Sequence, residues 1–136
     1  MTRTPLRVRY PEADRMGVAY HANYFVWFEL GRTDLMRRRG CSYREMEDEE
    51  GIILPVINAG ASYLSPARYD DELEVLTRLA SVERVRVRFE YELLRPADGK
   101  SLANGFSEHA VVGRDGRPMR MPREIRERLQ SMESGS

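Results

Sequence analysis

The stretch from Ala22 to Arg39 constrains this chain more than any other. Its first half (Ala22, Tyr24, Phe25, Val26, Trp27, Phe28, Leu30) is apolar nearly all round. Its second half is polar on one side and carries Leu35 and Met36 on the other. A helix that is hydrophobic all round is buried, so the N-terminal half is expected to be embedded and the C-terminal half exposed. Gly31 costs about 1 kcal/mol relative to alanine inside such a helix, which points to a close approach by a neighbour. Gly40 after Arg37, Arg38 and Arg39 reads as a helix stop with cations over the negative end of the dipole.

The rest of the chain is strand-like. Leu6, Val8 and Tyr10 alternate with arginines as a short first strand, ended by Pro11. From residue 52 the pattern becomes consecutive strands. Residues 52–64 form a long one, with Gly60 as a bulge or close-approach point. Leu73, Val75, Thr77 and Leu79 share one face of the next. Val85, Val87, Phe89, Tyr91 and Leu93 alternate strictly with charged residues. Asp98-Gly99 turns into a strand over 102–112, and Asp115-Gly116 turns again. Ser42 and Glu45 have capping-box spacing, so a short acidic helix is expected over 43–49. A terminal helix is expected over 122–130.

One long helix and one sheet make an α+β layer, with the helix in the concave face of a curved antiparallel sheet. Residues 1–130 read as a single domain and residues 131–136 as a frayed tail. No second helix layer is present to cover the other sheet face and its edges. A partner subunit is the expected cover.

Composition narrows the function classes. The 136 residues hold 22 basic and 22 acidic side chains, whereas domains that gather nucleic acid carry a basic excess. Lys100 is the only lysine, so nearly every cation is an arginine suited to ion pairs and phosphates. Cys41 is the only cysteine, which rules out an intrachain disulfide and a cysteine metal cluster. No apolar run is long enough to span a membrane, and the N-terminus lacks a signal-peptide core. A soluble cytoplasmic protein is expected.

The segment from Tyr10 to Tyr24 joins the first strand to the helix and holds Asp14, Gly17 and His21. A helix start offers unpaired amides and a positive dipole end. Such amides can polarise a carbonyl and stabilise the oxyanion formed on attack. A nearby carboxylate can activate water or attack directly. On spacing alone, however, an aspartate before a helix is most often a cap or turn residue. Elsewhere, Cys41 has no neighbouring base and reads as structural. His21 and His109 without a third ligand make a poor metal site, so no metal is expected. Glu29 and Arg32 suit a local ion pair, and Glu45 to Glu50 reads as a solvated acidic face.

The run Asp14-Arg15-Met16-Gly17-Val18-Ala19-Tyr20-His21-Ala22-Asn23-Tyr24, followed by Phe28-Glu29 and Arg32, resembles the signature of hot-dog-fold acyl-CoA thioesterases. It is most similar to their 4-hydroxybenzoyl-CoA thioesterase-like branch. The resemblance continues through residues 63–71 and 117–122. It implies a hot-dog fold, a long helix wrapped by a curved antiparallel sheet, in a homo-oligomer that is at least a dimer and plausibly a tetramer. It also implies hydrolysis of acyl-CoA without cofactor or metal. By position, Asp14 matches the catalytic carboxylate, as general base or nucleophile. His21 matches the position whose backbone amide faces the thioester carbonyl, and Tyr10 a tyrosine near the carboxylate. Gly17, Tyr24, Asn58 and Ala59 are the implied substrate-binding positions, the last two on a strand that lines the partner's site. The arginine excess between Arg114 and Arg128 makes Arg117 and Arg120 candidates for the coenzyme's phosphates. A non-catalytic acyl-CoA-binding module and hydrolysis of carrier-protein thioesters are the alternative readings.

Overall fold

The computed structural model describes residues 1–131. Its strands are β1 (Thr2–Arg7), β2 (Val56–Tyr63), β3 (Glu72–Val82), β4 (Arg86–Arg95) and β5 (Lys100–Ala110). They form one antiparallel sheet in the order β1-β3-β4-β5-β2, with β1 and β2 at the edges. Helix α1 (Asn23–Arg38) lies on one face of it. A short turn of helix α2 (Tyr43–Glu45) runs on into a π-turn (Met46–Glu50), and α3 (Arg123–Ser131) closes the chain. This is the hot-dog arrangement.

Alternation explains the sheet. Leu73, Val75, Thr77 and Leu79 of β3, and Val87, Phe89, Tyr91 and Leu93 of β4, are all buried under α1. Phe28 stacks on Tyr91 with ring centroids 4.6 Å apart. Ser42 caps α2, its hydroxyl accepting from the Glu45 N–H at 3.2 Å. The arginines of the outer face are largely ion-paired: Arg78 with Glu90, and Arg88 with both Glu90 and Glu108.

Several expectations need correction. Strand β1 ends at Arg7, and Tyr10 lies in a 3-10 turn over Tyr10–Glu12, where Glu12 folds back to take the Arg9 N–H. Helix α1 is not embedded by halves. It buries one stripe along its whole length (Tyr24, Trp27, Phe28, Gly31, Leu35, Met36), while Phe25, Val26 and Leu30 stay exposed. Val85 precedes β4 and is also exposed. The irregularity of β2 falls between Val56 and Asn58. Of the two readings of Gly60, bulge or close approach, the second holds, since a Cβ there would lie 2.8 Å from the Phe106 ring. Ser131 ends α3, and the remainder of the expected tail lies outside the described residues.

Gly31 is the tightest contact between helix and sheet. A Cβ at that position would stand 2.3 Å from Thr77 Oγ1 and 2.7 Å from Val75 Cγ1. Propensity alone would make Gly31→Ala stabilising by about 1 kcal/mol. Overpacking against two strand residues outweighs that, so a net loss of about 2 kcal/mol is expected in urea unfolding.

Candidate active site

The Asp14 loop is a small hairpin. Ala13 bridges Ala19, the Asp14 N–H donates to the Val18 carbonyl at 2.8 Å, and the Gly17 N–H returns to the Asp14 carbonyl at 3.0 Å. Gly17 has φ of +76°, a conformation glycine adopts without strain. The Gly17 carbonyl accepts from Tyr69 N–H at 2.9 Å, and the Ala19 N–H donates to the Ala67 carbonyl at 2.8 Å. The hairpin is therefore tied to the chain that leads into β3.

Asp14 is exposed at the tip of this hairpin. Its Oδ1 accepts from the N–H groups of Met16 at 2.8 Å and Val18 at 3.3 Å. Among the described residues no donor meets Oδ2. The aspartate is thus both the turn residue that its position suggests and an oriented carboxylate with one open oxygen.

A second carboxylate fixes the hairpin to the helix. Glu12 is buried and accepts from Arg9 N–H at 2.8 Å and from the Trp27 indole at 2.9 Å. Burial works to raise its pKa, yet these donors and the Arg9 guanidinium hold it below the usual carboxylate value. The Glu12 carbonyl accepts from Tyr20 N–H at 2.9 Å and from the Asn23 amide at 3.0 Å. Glu12 is not among the expected site residues. Its spacing of three from Arg9, across a turn that contains Pro11, was the available signal.

The chain enters α1 through a turn at His21 and Ala22. The N–H groups of Asn23, Tyr24 and Phe25 donate to the carbonyls of Tyr20, His21 and Ala22. Among the described residues the N–H groups of His21 and Ala22 meet no acceptor. The His21 ring is exposed, between Tyr20 at 4.7 Å and Tyr63 at 5.9 Å between centroids. No hydrogen bond joins it to Asp14 among the described residues.

Other expected site residues fall into groups. Tyr24 is buried next to this turn, its hydroxyl accepting from Ala67 N–H at 3.0 Å. Tyr10 is exposed and packs edge-on against Tyr69 rather than on Asp14. Ala59 lines a mostly apolar pocket of about 340 Å³ beside α1, whereas the Asn58 amide bonds Glu108 at 2.9 Å. Arg117 pairs with Asp115. Arg120 makes no ion pair among the described residues, and its neighbour Met121 hydrogen-bonds the Arg84 carbonyl at 2.7 Å. Both arginines lie near the Val56 end of β2, since Val112 bridges both Ile53 and Pro118. His21 touches Tyr63, at the strand's other end. The strand separates the two groups by roughly 23 Å.

The two histidines also lie apart. His109 is fully buried, with Nδ1 2.9 Å from the Leu54 carbonyl and Nε2 2.8 Å from Ser107 Oγ. Arg32 does not pair with Glu29. It donates to the hydroxyls of Tyr43 at 2.9 Å and Tyr91 at 3.1 Å.

A family model described as the thioesterase-like superfamily matches residues 8–129. YneP of Bacillus subtilis (strain 168) is 34% identical over 115 residues, 85% of this chain and 82% of its own length. The acyl-CoA thioester hydrolase YbgC of Escherichia coli O157:H7 is 34% identical over 87 residues, 64% of each chain. Among solved structures, the hypothetical protein TT1821 of Thermus thermophilus superposes with a TM-score of 0.90 at 35% identity, covering 96% of this chain and 98% of that one. The DHNA-CoA thioesterase of Staphylococcus aureus superposes with a TM-score of 0.87 at 31% identity, covering 98% and 93%. Matched by that family model over residues 8–129 and 34% identical to YneP over 85% of its length, this chain belongs to the thioesterase-like superfamily and is a thioester hydrolase of the hot-dog fold.

Proposed function

We propose that the protein hydrolyses acyl-CoA to a free carboxylic acid and coenzyme A, with Asp14 as the reacting carboxylate. The observation that carries this reading is that one motif holds both Asp14, with Oδ1 held by the loop and Oδ2 open, and, seven and eight residues on, the His21 and Ala22 amides that meet no acceptor among the described residues. A thioester carbonyl is electrophilic enough to need no serine triad. The helix-start amides take the carbonyl oxygen and stabilise the oxyanion. Asp14 Oδ2 removes a proton from the attacking water. The C–S bond breaks, the proton passes to the leaving sulfur, and acid and free thiol result. The likeness to YbgC, an acyl-CoA thioester hydrolase, and to the Staphylococcus aureus DHNA-CoA thioesterase supports coenzyme A as the carrier. Tyr24 is buried next to this turn, and Gly17 gives the Asp14 hairpin its tight path, while the exposed Tyr10 packs on Tyr69.

The working form is proposed to be a homo-oligomer in the cytoplasm, where coenzyme A thioesters are made and used. No helix among the described residues is long and apolar enough to cross a membrane. Edge strand β2 exposes Val56, Ile57 and Tyr63, and α1 exposes Phe25, Val26 and Leu30 beside it. A second copy pairing antiparallel along β2 covers that surface. It also brings its Val56 end, with Asn58, Ala59 and the nearby Arg120, to this chain's His21 end. Arg120, with Arg84 and Arg86, which likewise make no ion pair among the described residues, can then take the coenzyme's phosphates. Arg117 is held by Asp115 and takes a lesser part. Arg120→Ala is expected to raise KM for acyl-CoA about tenfold with kcat little changed. An unchanged KM would remove the phosphate assignment.

Free-thiol release on mixing with short, medium, long and aromatic acyl-CoAs, and with carrier-linked thioesters, tests the activity. Release from carrier-linked substrates alone would replace coenzyme A as the carrier. Tight binding with no release from any thioester would make the protein a binding module.

A further inference from the structure

Arg32 makes no ion pair among the described residues, although the Glu29 carboxylate lines the same pocket. Arg32 is half-buried in the 340 Å³ pocket, whose walls include Phe25, Val26, Phe28, Val56 and Phe106 and which the second copy proposed above would roof on the Phe25, Val26 and Val56 side. Buried charges are normally paired with an opposite charge. Among the described residues the partners of Arg32 are the phenol hydroxyls of Tyr43 and Tyr91; burial pushes the Tyr43 phenol up to about 12 and raises that of Tyr91, so both stay neutral.

The hydrogen bonds behind Arg32 run in one direction. The Leu54 carbonyl can only accept, so His109 Nδ1 carries the proton and Nε2 accepts from the Ser107 hydroxyl. Ser107 Oγ, 2.5 Å from Tyr91 Oη, therefore accepts from Tyr91, which accepts in turn from Arg32 Nη1. Tyr91 and Ser107 have both spent their protons away from the pocket. What remains for a ligand is the Nη2 end of Arg32, which makes no hydrogen bond among the described residues. Beside the Glu29 carboxylate of the wall, Arg32 thus presents a donor and a cation to which an anionic acceptor can bind.

We infer that this pocket selects acyl groups that end in a carboxylate, with Arg32 as the specificity-determining residue that meets it. The inference rests on the thioesterase reading for the other end of the substrate. Helix side chains lean back toward the N-terminus, and Tyr91 stacks on Phe28, so the guanidinium lies level with Phe28. That level is about 9 Å along the axis from Ala22, a span that an extended acyl chain of about six to eight carbons covers. Phe25, one turn into α1, stands between the two ends. A charge-assisted fork onto a carboxylate then adds to what the apolar walls give any chain of that length.

The test compares binding of hexanedioyl-CoA and octanedioyl-CoA with hexanoyl-CoA and octanoyl-CoA, by calorimetry, on the Asp14→Asn protein, where substrate persists. The ω-carboxylated thioesters are expected to bind at least about tenfold more tightly. Adding Arg32→Met is expected to erase that preference, and Arg32→Lys to keep part of it. The comparison without an Arg32 substitution does not depend on how those variants fold. Equal affinity for the two series would overturn the inference, even with hydrolysis intact in the parent protein. A strong preference in a protein that hydrolyses no thioester would support this pocket and sink the activity.

Discussion

Asp14→Asn leaves a folded protein that binds acyl-CoA and hydrolyses it about 10²- to 10⁴-fold more slowly, the usual worth of a positioned base. The expectation follows from how the two carboxylate oxygens are used. Oδ1 holds the loop through the N–H groups of Met16 and Val18. An asparagine carbonyl accepts both bonds equally well, so the turn survives. Oδ2, the open oxygen, is replaced by an amide nitrogen that can neither take a proton from water nor attack a carbonyl. The helix-start amides are untouched, so the thioester still docks. Asp14→Ala is a poorer probe, because it removes the loop's acceptor along with the base. Unfolding curves for Asp14→Asn are expected to overlay those of the parent protein, which separates lost chemistry from lost structure.

The second large effect is on acid stability. Burial holds the pKa of His109 down to about 4, from an ordinary value of 6.5. The folded protein therefore prefers neutral His109, and the stability tied to it is full above pH 6.5. As the pH falls from 6.5 toward 4, the unfolded chain takes up a proton that the folded one refuses. The loss amounts to about 1.4 kcal/mol per pH unit and roughly 3 kcal/mol in all. Below about pH 4 the folded protein protonates too, and the loss stops growing. Glu12, Glu90 and Asp98 have lowered pKa values and come into play only below the ordinary carboxylate range. The window from pH 6.5 to 5 therefore reports on His109 ahead of them. Urea midpoints across that window are expected to fall steadily. In His109→Gln, whose amide can still donate to Leu54 and accept from Ser107, they are expected to stay nearly level. A parent protein with a flat profile there would show that His109 does not titrate as its burial requires.

Periodicity carried most of the fold. The strict alternation of β4 and the apolar run of α1 depend on neighbours in sequence, so both were legible, as was the close approach at Gly31. What α1 leaves exposed was not. Phe25, Val26 and Leu30 are as apolar as Trp27 and Phe28, and only the position of the sheet decides which of them are covered. The Asp14 motif was legible from its resemblance to a family, while from spacing alone it reads as a turn, and it does form one. Glu12 was missed because its value lies in a bond to Trp27, fifteen residues on. Arg32 was misread for the same reason. Spacing of three offered Glu29, but the fold supplies Tyr43 and Tyr91 from α2 and β4. The chain from Arg32 to His109 joins the helix to two strands, and no local pattern encodes it.

Stopped-flow measurement of free thiol, on mixing one acyl-CoA with the parent protein and with Asp14→Asn, tests most directly that Asp14 performs the hydrolysis. The parent protein is expected to release thiol continuously, while Asp14→Asn binds the thioester and releases almost none. Turnover by Asp14→Asn near the parent rate would contradict it and move the chemistry to another residue.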